Sequence, residues 1–482
     1  MKVLAKIYSS PIAQYIGTRY ITYGIQFVNS ILIAKYLGVY YFGIYSFLQL
    51  VKQYMLYTGM TPSYSLNTIL STRKNESDFA NKLWRNSLLL STILIGGAFT
   101  IGVLVVQFYP ELFDKYEFSN YSLSIFLIFA LNSFNHLFVN LYRTYGLLKK
   151  INFFELVIPL SQLCVLFFAK EEDLLYFLLF GTIISNLVSL LLFIYLPPLK
   201  VRLKFNKDIF KELLTRGFHL LLYNVSFSLI LISSRTLVSM YYSTEELGYY
   251  TFAVNLSNAV FMIVGAFGFV MYPKLLNKIY TNSHAEVKTL LVQIRSIYIT
   301  GCYLLTYIGF FSILFLEYIL PQYTLAMPAF KILLLTQLIL NNNFGYSILL
   351  VAKKREKLMT IQALFAMLLI ILISLVFNFI DLSFTMMSIA VSVGFVFYCV
   401  SITKRALKEI DEENDLKTVL LEIFPSYYLF PLIILASSIA FNNNIIIPIF
   451  SLLIFILMNK DRISDVRNKI YSLISNKESL KF

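Results

Sequence analysis

The sequence predicts an all-α membrane protein of about fourteen transmembrane helices. Three observations predict it. Of 482 residues, 58% are hydrophobic and only 14% are charged, and the mean hydropathy is +0.72. A soluble globular chain carries about 25% charged residues. Apolar runs recur from end to end at a length near the roughly 20 helical residues that a bilayer crossing needs. The basic residues fall on alternate loops, as the positive-inside rule requires.

In chain order the first seven runs are 12–36, 42–62, 86–109, 121–145, 153–169, 174–196 and 217–241. The second seven are 247–272, 296–320, 324–351, 359–379, 382–400, 420–441 and 445–458, of which the last is short. With the N-terminus placed inside, only Lys115 and Lys170 of the 40 lysines and arginines fall in outward loops. Arg19, Lys35, Lys52, Arg235 and Lys331 lie within spans or at their edges, and all the others fall on the inward side. The outward loops are acidic instead, with Glu111, Asp114 and Glu117, then Glu171, Glu172 and Asp173, then Glu245 and Glu246. One missed span would invert every later loop, so this bias supports the count and places both termini in the cytoplasm. It also accounts for a net charge of +14, which in a soluble chain would suggest a nucleic-acid partner. None is expected here.

The chain contains an internal repeat. Tyr36, Gly43, Tyr45 and Phe47 fall at a constant offset on Tyr241, Gly248, Tyr250 and Phe252. Ser46 meets Thr251, and Lys2 and Lys6 meet Lys207 and Lys211. Each matched stretch joins an outgoing helix to a returning one, and an even number of spans separates the two copies. The halves therefore share one orientation, as in transporters whose parallel repeats are related by an axis along the membrane normal. The expected organisation is a six-helix bundle over 1–199, a basic cytoplasmic linker over 200–216 and a second six-helix bundle over 217–404. Two appended helices and a cytoplasmic tail follow over 405–482.

Nothing in the sequence points to catalysis. There is no P-loop, no metal-ligand cluster and no nucleophile elbow, so no catalytic residue, metal or cofactor is expected. Cys164, Cys302 and Cys399 lie in apolar runs and read as buried hydrophobes. His284 reads as a solvated loop histidine, and the acidic run 409–415 as a solvated loop. The N-terminal stretch and part of the tail, 461–477, carry basic residues suited to anionic membrane lipids.

Charge inside a span costs from about 2.5 kcal/mol upward and normally faces a cavity or a partner. The charges here are nearly all cationic. Lys52 lies at the middle of its span, and Arg19 lies seven residues into the first. Arg235 and Lys331 lie nearer outer ends. Helical spacing puts Arg19, Tyr23, Gln26 and Ser30 on one face, and Tyr45, Gln49 and Lys52 on another. Asn224, Ser228 and Arg235 share a third. The fourth span carries Asn132, His136, Asn140 and Arg143, and the tenth carries Gln337 and Asn341. Cations so placed suit an anionic head group, and the amides, hydroxyls and tyrosines suit a wet path for sugars. Snorkelling is the competing reading for Arg19, Arg235 and Lys331, and helix-to-helix hydrogen bonding for the fourth and tenth spans. The acids Glu155 and Glu317 fall near span ends.

The runs Tyr36-Leu-Gly38 and Gly43-Ile-Tyr45-Ser, Glu246-Leu-Gly248-Tyr-Tyr250 with Ala253, Met271-Tyr-Pro273 and Ala326-Met-Pro-Ala-Phe-Lys331-Ile-Leu carry a family resemblance. Over about residues 1–404 the chain resembles polysaccharide flippases of the O-antigen transporter type. These belong to the multidrug, oligosaccharidyl-lipid and polysaccharide exporter superfamily. The resemblance implies a MATE-like V-shaped pair of bundles in the bacterial inner membrane, working by alternating access. It implies an undecaprenyl-diphosphate-linked oligosaccharide as cargo, moved from the cytoplasmic to the outer leaflet. A polysaccharide polymerase and a chain-length regulator are the partners such flippases are expected to work beside. On this reading Arg19, Lys52, Arg235 and Lys331 contact the diphosphate, while Tyr23, Gln26, Gln49, Asn132, His136 and Asn224 line the path. A lipid II flippase shares this logic. A multidrug antiporter would be expected to carry buried carboxylates, and a membrane enzyme of sugar chemistry a large outer loop or domain, whereas the longest here is only 110–120.

Overall fold

Every expected span falls on a helix of the computed structural model, which describes residues 11–73, 76–168, 173–199, 205–412, 415–441 and 445–475. The helices are α1 Pro11–Arg73, α2 Ser77–Phe108, α3 Phe118–Thr144, α4 Leu148–Phe168 and α5 Leu174–Tyr195. They continue as α6 Lys207–Tyr241, α7 Thr244–Thr281, α8 His284–Ile319, α9 Met327–Asn341, α10 Tyr346–Ala352, α11 Glu356–Phe379 and α12 Met386–Lys408. The chain closes with α13 Leu416–Ile423, α14 Ser426–Ser437, α15 Ile446–Met458 and α16 Lys460–Ser475. No strand occurs among the described residues.

Nine of the helices among the described residues are long and apolar enough to cross a membrane, and up to eleven if each bent pair is one span. The difference from fourteen has identifiable sources. α1 holds the first two spans in one 63-residue helix that turns at Gly38 (φ 68°, ψ 178°). α6 is bent by 45°, and α13 meets α14 at 70°. The eighth span, in α7, is not among those counted, and α15 is only 13 residues long. Lys2, Lys6, Lys170, Glu171, Glu172, residues 200–204 of the linker and the tail beyond 475 lie outside the described residues.

The chain forms two compact units. One comprises Met1–Val225 with Tyr242–Gly248, and the other Ser226–Tyr241 with Tyr249–Phe482. The division therefore falls inside α6. In the first unit, Trp84, Phe138, Tyr142, Phe154 and Phe193 form a buried aromatic cluster, and the Tyr142 hydroxyl donates to the Phe193 carbonyl at 2.9 Å. Asn135 Nδ2 donates to the Asn186 carbonyl at 3.0 Å, and Asn29 Nδ2 to the Pro159 carbonyl at 2.8 Å. Between lipid-facing helices, packing and such amide bonds replace the hydrophobic drive available in water.

The 3₁₀ segment Pro110–Tyr116 is pinned onto this unit. Tyr116 stacks on Phe47 with ring centroids 4.0 Å apart, and the Tyr40 hydroxyl donates to Glu117 at 3.1 Å. Lys115 donates to the Tyr242 carbonyl, and Thr244 Oγ1 donates to the Lys115 carbonyl at 3.3 Å. This contact explains a basic residue in an otherwise acidic loop. Burial pushes its ammonium below the usual lysine range, and Glu246 opposes that shift.

In the second unit the two appended helices dock on α8. Tyr428 of α14 stacks on Tyr303 at 4.8 Å and hydrogen-bonds Thr300 at 2.6 Å, and Tyr307 bonds Ser451 of α15 at 2.8 Å. The run 409–415, expected as a solvated loop, is partly exposed and also paired. Glu409 pairs with Arg355 at 2.8 Å, Asp411 with His284 at 3.2 Å and Glu412 with Lys288 at 2.6 Å. The loop follows α12 and lies against the start of α8 and the turn before α11, both basic, so its carboxylates find cations that sequence proximity does not reveal. Residues 413–414 of that run lie outside the described ones.

Candidate functional site

α1 carries the most residues of the expected site. Arg19 lies in its N-terminal part, with a side chain outside the described residues. Tyr23 is half-buried and Gln26 exposed. Past Gly38, Tyr45, Gln49 and Lys52 share one face and are all half-buried. Lys52 Nζ donates to Gln49 Oε1, one turn back. Among the described residues no carboxylate lies within ion-pair distance of Lys52. A cation in a span is therefore held by a neutral amide, which satisfies one of its three N–H groups and leaves its charge uncompensated.

The other cation with a described setting in α9 is different. Lys331 is 8% exposed and faces Glu317, the acid near the end of α8. Both line a pocket of about 30 Å³ together with Phe310, Phe311, Ser438, Ile445 and Pro448. Glu317 Oε1 has no hydrogen-bond partner there. The apolar partners of this pair come from α8 and the appended helices, so Lys331 sits at the joint between them.

Arg235 is half-buried on α6, near Tyr250. Asn224, on the same helix, is exposed and donates to the Leu220 carbonyl at 2.7 Å. It belongs to the first compact unit and Arg235 to the second. On α3, Asn132 and His136 are half-buried, and the His136 carbonyl accepts from Asn140 at 3.0 Å. The amide that ties α3 to α5 is Asn135, one position round from that stripe.

Gln337 of α9 donates to Asn258 Oδ1 of α7 at 2.6 Å, a helix-to-helix bond of the kind weighed for the tenth-span stripe. One feature was outside the sequence reading. Arg295, assigned to an inward loop just before the ninth span, lies within α8 and is 3% exposed. Its only sequence signal is the polar spacing Arg295, Tyr298 and Cys302 running on into the apolar helix. Among the described residues no group of three or more His, Cys, Asp or Glu could hold a metal ion.

A family model described as polysaccharide biosynthesis protein matches residues 12–277. No curated protein matches the chain at a significant level. Among solved structures, the chain is similar to an inward-facing MATE family multidrug resistance transporter of the MOP superfamily, at 14% identity and TM-score 0.67. That match covers 82% of this chain and 95% of the other. The lipid II flippase MurJ in an inward closed conformation matches at 15% identity and TM-score 0.66, over 95% of this chain and 99% of that one. A MOP superfamily transporter from Pyrococcus furiosus matches at 14% identity and TM-score 0.50, over 86% and 99%. At these identities the likeness is one of fold.

Proposed function

This chain belongs to the polysaccharide biosynthesis protein family, and from that membership we propose that it is a flippase for a lipid-linked, anionic oligosaccharide. The cargo is an undecaprenyl-diphosphate-linked repeat unit of O-antigen, capsule or exopolysaccharide. It moves from the cytoplasmic to the outer leaflet of a bacterial inner membrane, with both termini of the protein cytoplasmic.

The observation that carries this reading is Lys52. A lysine in a span whose described partner is an amide offers its charge to an incoming anion. A diphosphate supplies what is missing, because charge-assisted N⁺–H···O⁻ bonds are about twice as strong as neutral ones. Gln49 holds the ammonium on the Tyr45 face while the site is empty. Arg19, on the same helix, is suited to bidentate contact with phosphate. Tyr23, Gln26, Asn132, His136 and Asn224 supply neutral groups that exchange hydrogen bonds with sugar hydroxyls one for another. The prenyl chain stays in lipid while the head group crosses, so the protein need shelter only the polar part. Alternating access of the two bundles would move it.

Lipid II is the second cargo class, favoured by the full-length likeness to MurJ. Export of cationic drugs is disfavoured by the sign of the charge. Lys52 would repel a cation, and Glu317 already faces Lys331.

The test is transport of a diphosphate-linked oligosaccharide into vesicles by wild type, Lys52→Ala and Arg19→Ala at matched expression. Movement by wild type and failure of both variants supports the reading. Transport undiminished in both removes these cations from the mechanism. Transport of lipid II alone selects the second cargo.

A further inference from the structure

A helix that stops within a span leaves carbonyls that lipid cannot satisfy. The tenth span does this. α9 ends at Asn341, residues 342–345 turn, and α10 starts at Tyr346. Gly345 has φ +89°, a conformation that suits glycine, and a Cβ there would lie 3.3 Å from Arg295 Cγ and 3.1 Å from Leu291.

One stripe of α8 closes the break. Arg295 Nη1 donates to the Asn342 carbonyl at 2.5 Å and to the Phe344 carbonyl at 3.1 Å. Its guanidinium lies 3.9 Å from the centre of the Tyr346 ring, and Nε is 3.5 Å from Glu422 of α13. The Tyr346 hydroxyl donates to the same Glu422 oxygen at 2.7 Å. One turn along α8, Tyr298 donates to Asn341 Oδ1 at 2.7 Å and stacks on Phe344 at 3.8 Å. Leu291, Arg295 and Tyr298 follow the spacing i, i+4, i+7. Burying a guanidinium costs several kcal/mol unless its hydrogen-bonding groups and charge are met. Here two carbonyls, a ring face and a carboxylate meet them.

The break sets what α9 presents. Gln337 and Asn341, the amides of the expected sugar path, lie in its last turns, and Asn341 is held directly by Tyr298. We infer that Arg295 is a positioning residue for transport: a tethered cation that holds the tenth span broken at 342–345 and thereby fixes the Gln337 and Asn341 face. Glu422 is its counter-ion and links the hinge to the amphipathic helix α13. The transport part of this inference rests on the flippase reading; the hinge part does not.

The experiment uses the full chain in proteoliposomes, with Arg295→Gln, Arg295→Lys and Glu422→Gln. Amide hydrogen exchange over 340–347 and transport of the diphosphate-linked oligosaccharide are both measured. Arg295→Gln is expected to raise exchange over 340–347 at least tenfold, with α11 unchanged. The maximal transport rate should fall about tenfold, with KM within threefold of wild type. Arg295→Lys, which keeps the charge but cannot bridge both carbonyls while stacking on Tyr346, should fall between. Glu422→Gln should raise exchange less than Arg295→Gln. Unchanged exchange in both Arg295 variants overturns the inference, as does raised exchange with an unchanged maximal rate. If Arg295→Gln does not accumulate, Arg295→Lys decides by the same two readouts. If wild type moves no oligosaccharide lipid, the flippase reading falls, and the exchange result alone decides whether Arg295 holds the break.

Discussion

Gly43 and Gly248, which occupy the same place in the internal repeat, are packed against each other. A Cβ on Gly248 would lie 3.3 Å from Gly43 N and 2.6 Å from the Val39 carbonyl oxygen, and a Cβ on Gly43 only 2.0 Å from the Thr244 carbonyl oxygen. Both belong to the first compact unit. Backbone cannot yield as a flexible side chain can. Gly43→Ala is therefore expected to destabilise by about 3 kcal/mol, at the upper end for overpacking. Gly96→Ala, where a Cβ meets nothing within 4 Å, should be neutral or slightly stabilising. Thermal midpoints in detergent compare the two.

Lys52→Ala should separate function from stability. Loss of a charge-assisted contact to diphosphate removes about 1.5–3 kcal/mol of binding, a rise in KM of roughly tenfold or more. The empty protein should hold or gain thermal stability, because an ammonium in a span is costly. A fall in both would make Lys52 a structural residue.

For Lys331 and Glu317 a double-mutant cycle in detergent is the measurement. Removing either partner leaves the other charge at the joint without its opposite, so Lys331→Met and Glu317→Gln should each cost about 2 kcal/mol. The double variant should cost less than the sum. Transport by the double variant near the wild-type rate would place Lys331 in the joint and outside the cargo path. A large loss at intact stability would return it to that path.

Glu286 caps α8 by accepting from Ser283 N at 2.9 Å and Ser283 Oγ at 3.0 Å. These bonds hold its carboxyl below the usual glutamate range. A depressed folded pKa contributes stability above the unfolded value, and that contribution is lost as pH falls through the folded one. Hydrogen exchange at 284–288, corrected for intrinsic rate, should therefore stay constant from pH 8 to 6. It should rise only in acid, below the ordinary carboxylate range. Glu286→Gln, which can still accept the bonds, should flatten that rise.

Tyr428 fastens the appended helices. Tyr428→Phe keeps the stack on Tyr303 and loses the bond to Thr300, a cost of about 1 kcal/mol. Tyr428→Ala also loses the ring and should cost about 3–5 kcal/mol. Limited proteolysis between α12 and α14 would show whether α14 and α15 then detach.

Apolar run length and charge placement pointed to an all-helical, multi-pass membrane protein, and every expected span falls on a helix. Both are one-dimensional signals: a bilayer fixes how long a span must be, and loop charge fixes which side it emerges on. The sequence paired Gly43 with Gly248 by their offset but did not reveal that they touch. The stripe holding Lys52 and Gln49 could be read because both lie on one helix, one turn apart. What only the tertiary structure decided is which stripe meets which neighbour. In a span that is apolar nearly all round, the hydrophobic period that betrays a buried face in water is weak. Glu317 found Lys331 on the next helix, and Asn135 found the Asn186 carbonyl of α5. Arg295 meets the break between α9 and α10 only because α8 packs against it, a contact between residues far apart in sequence.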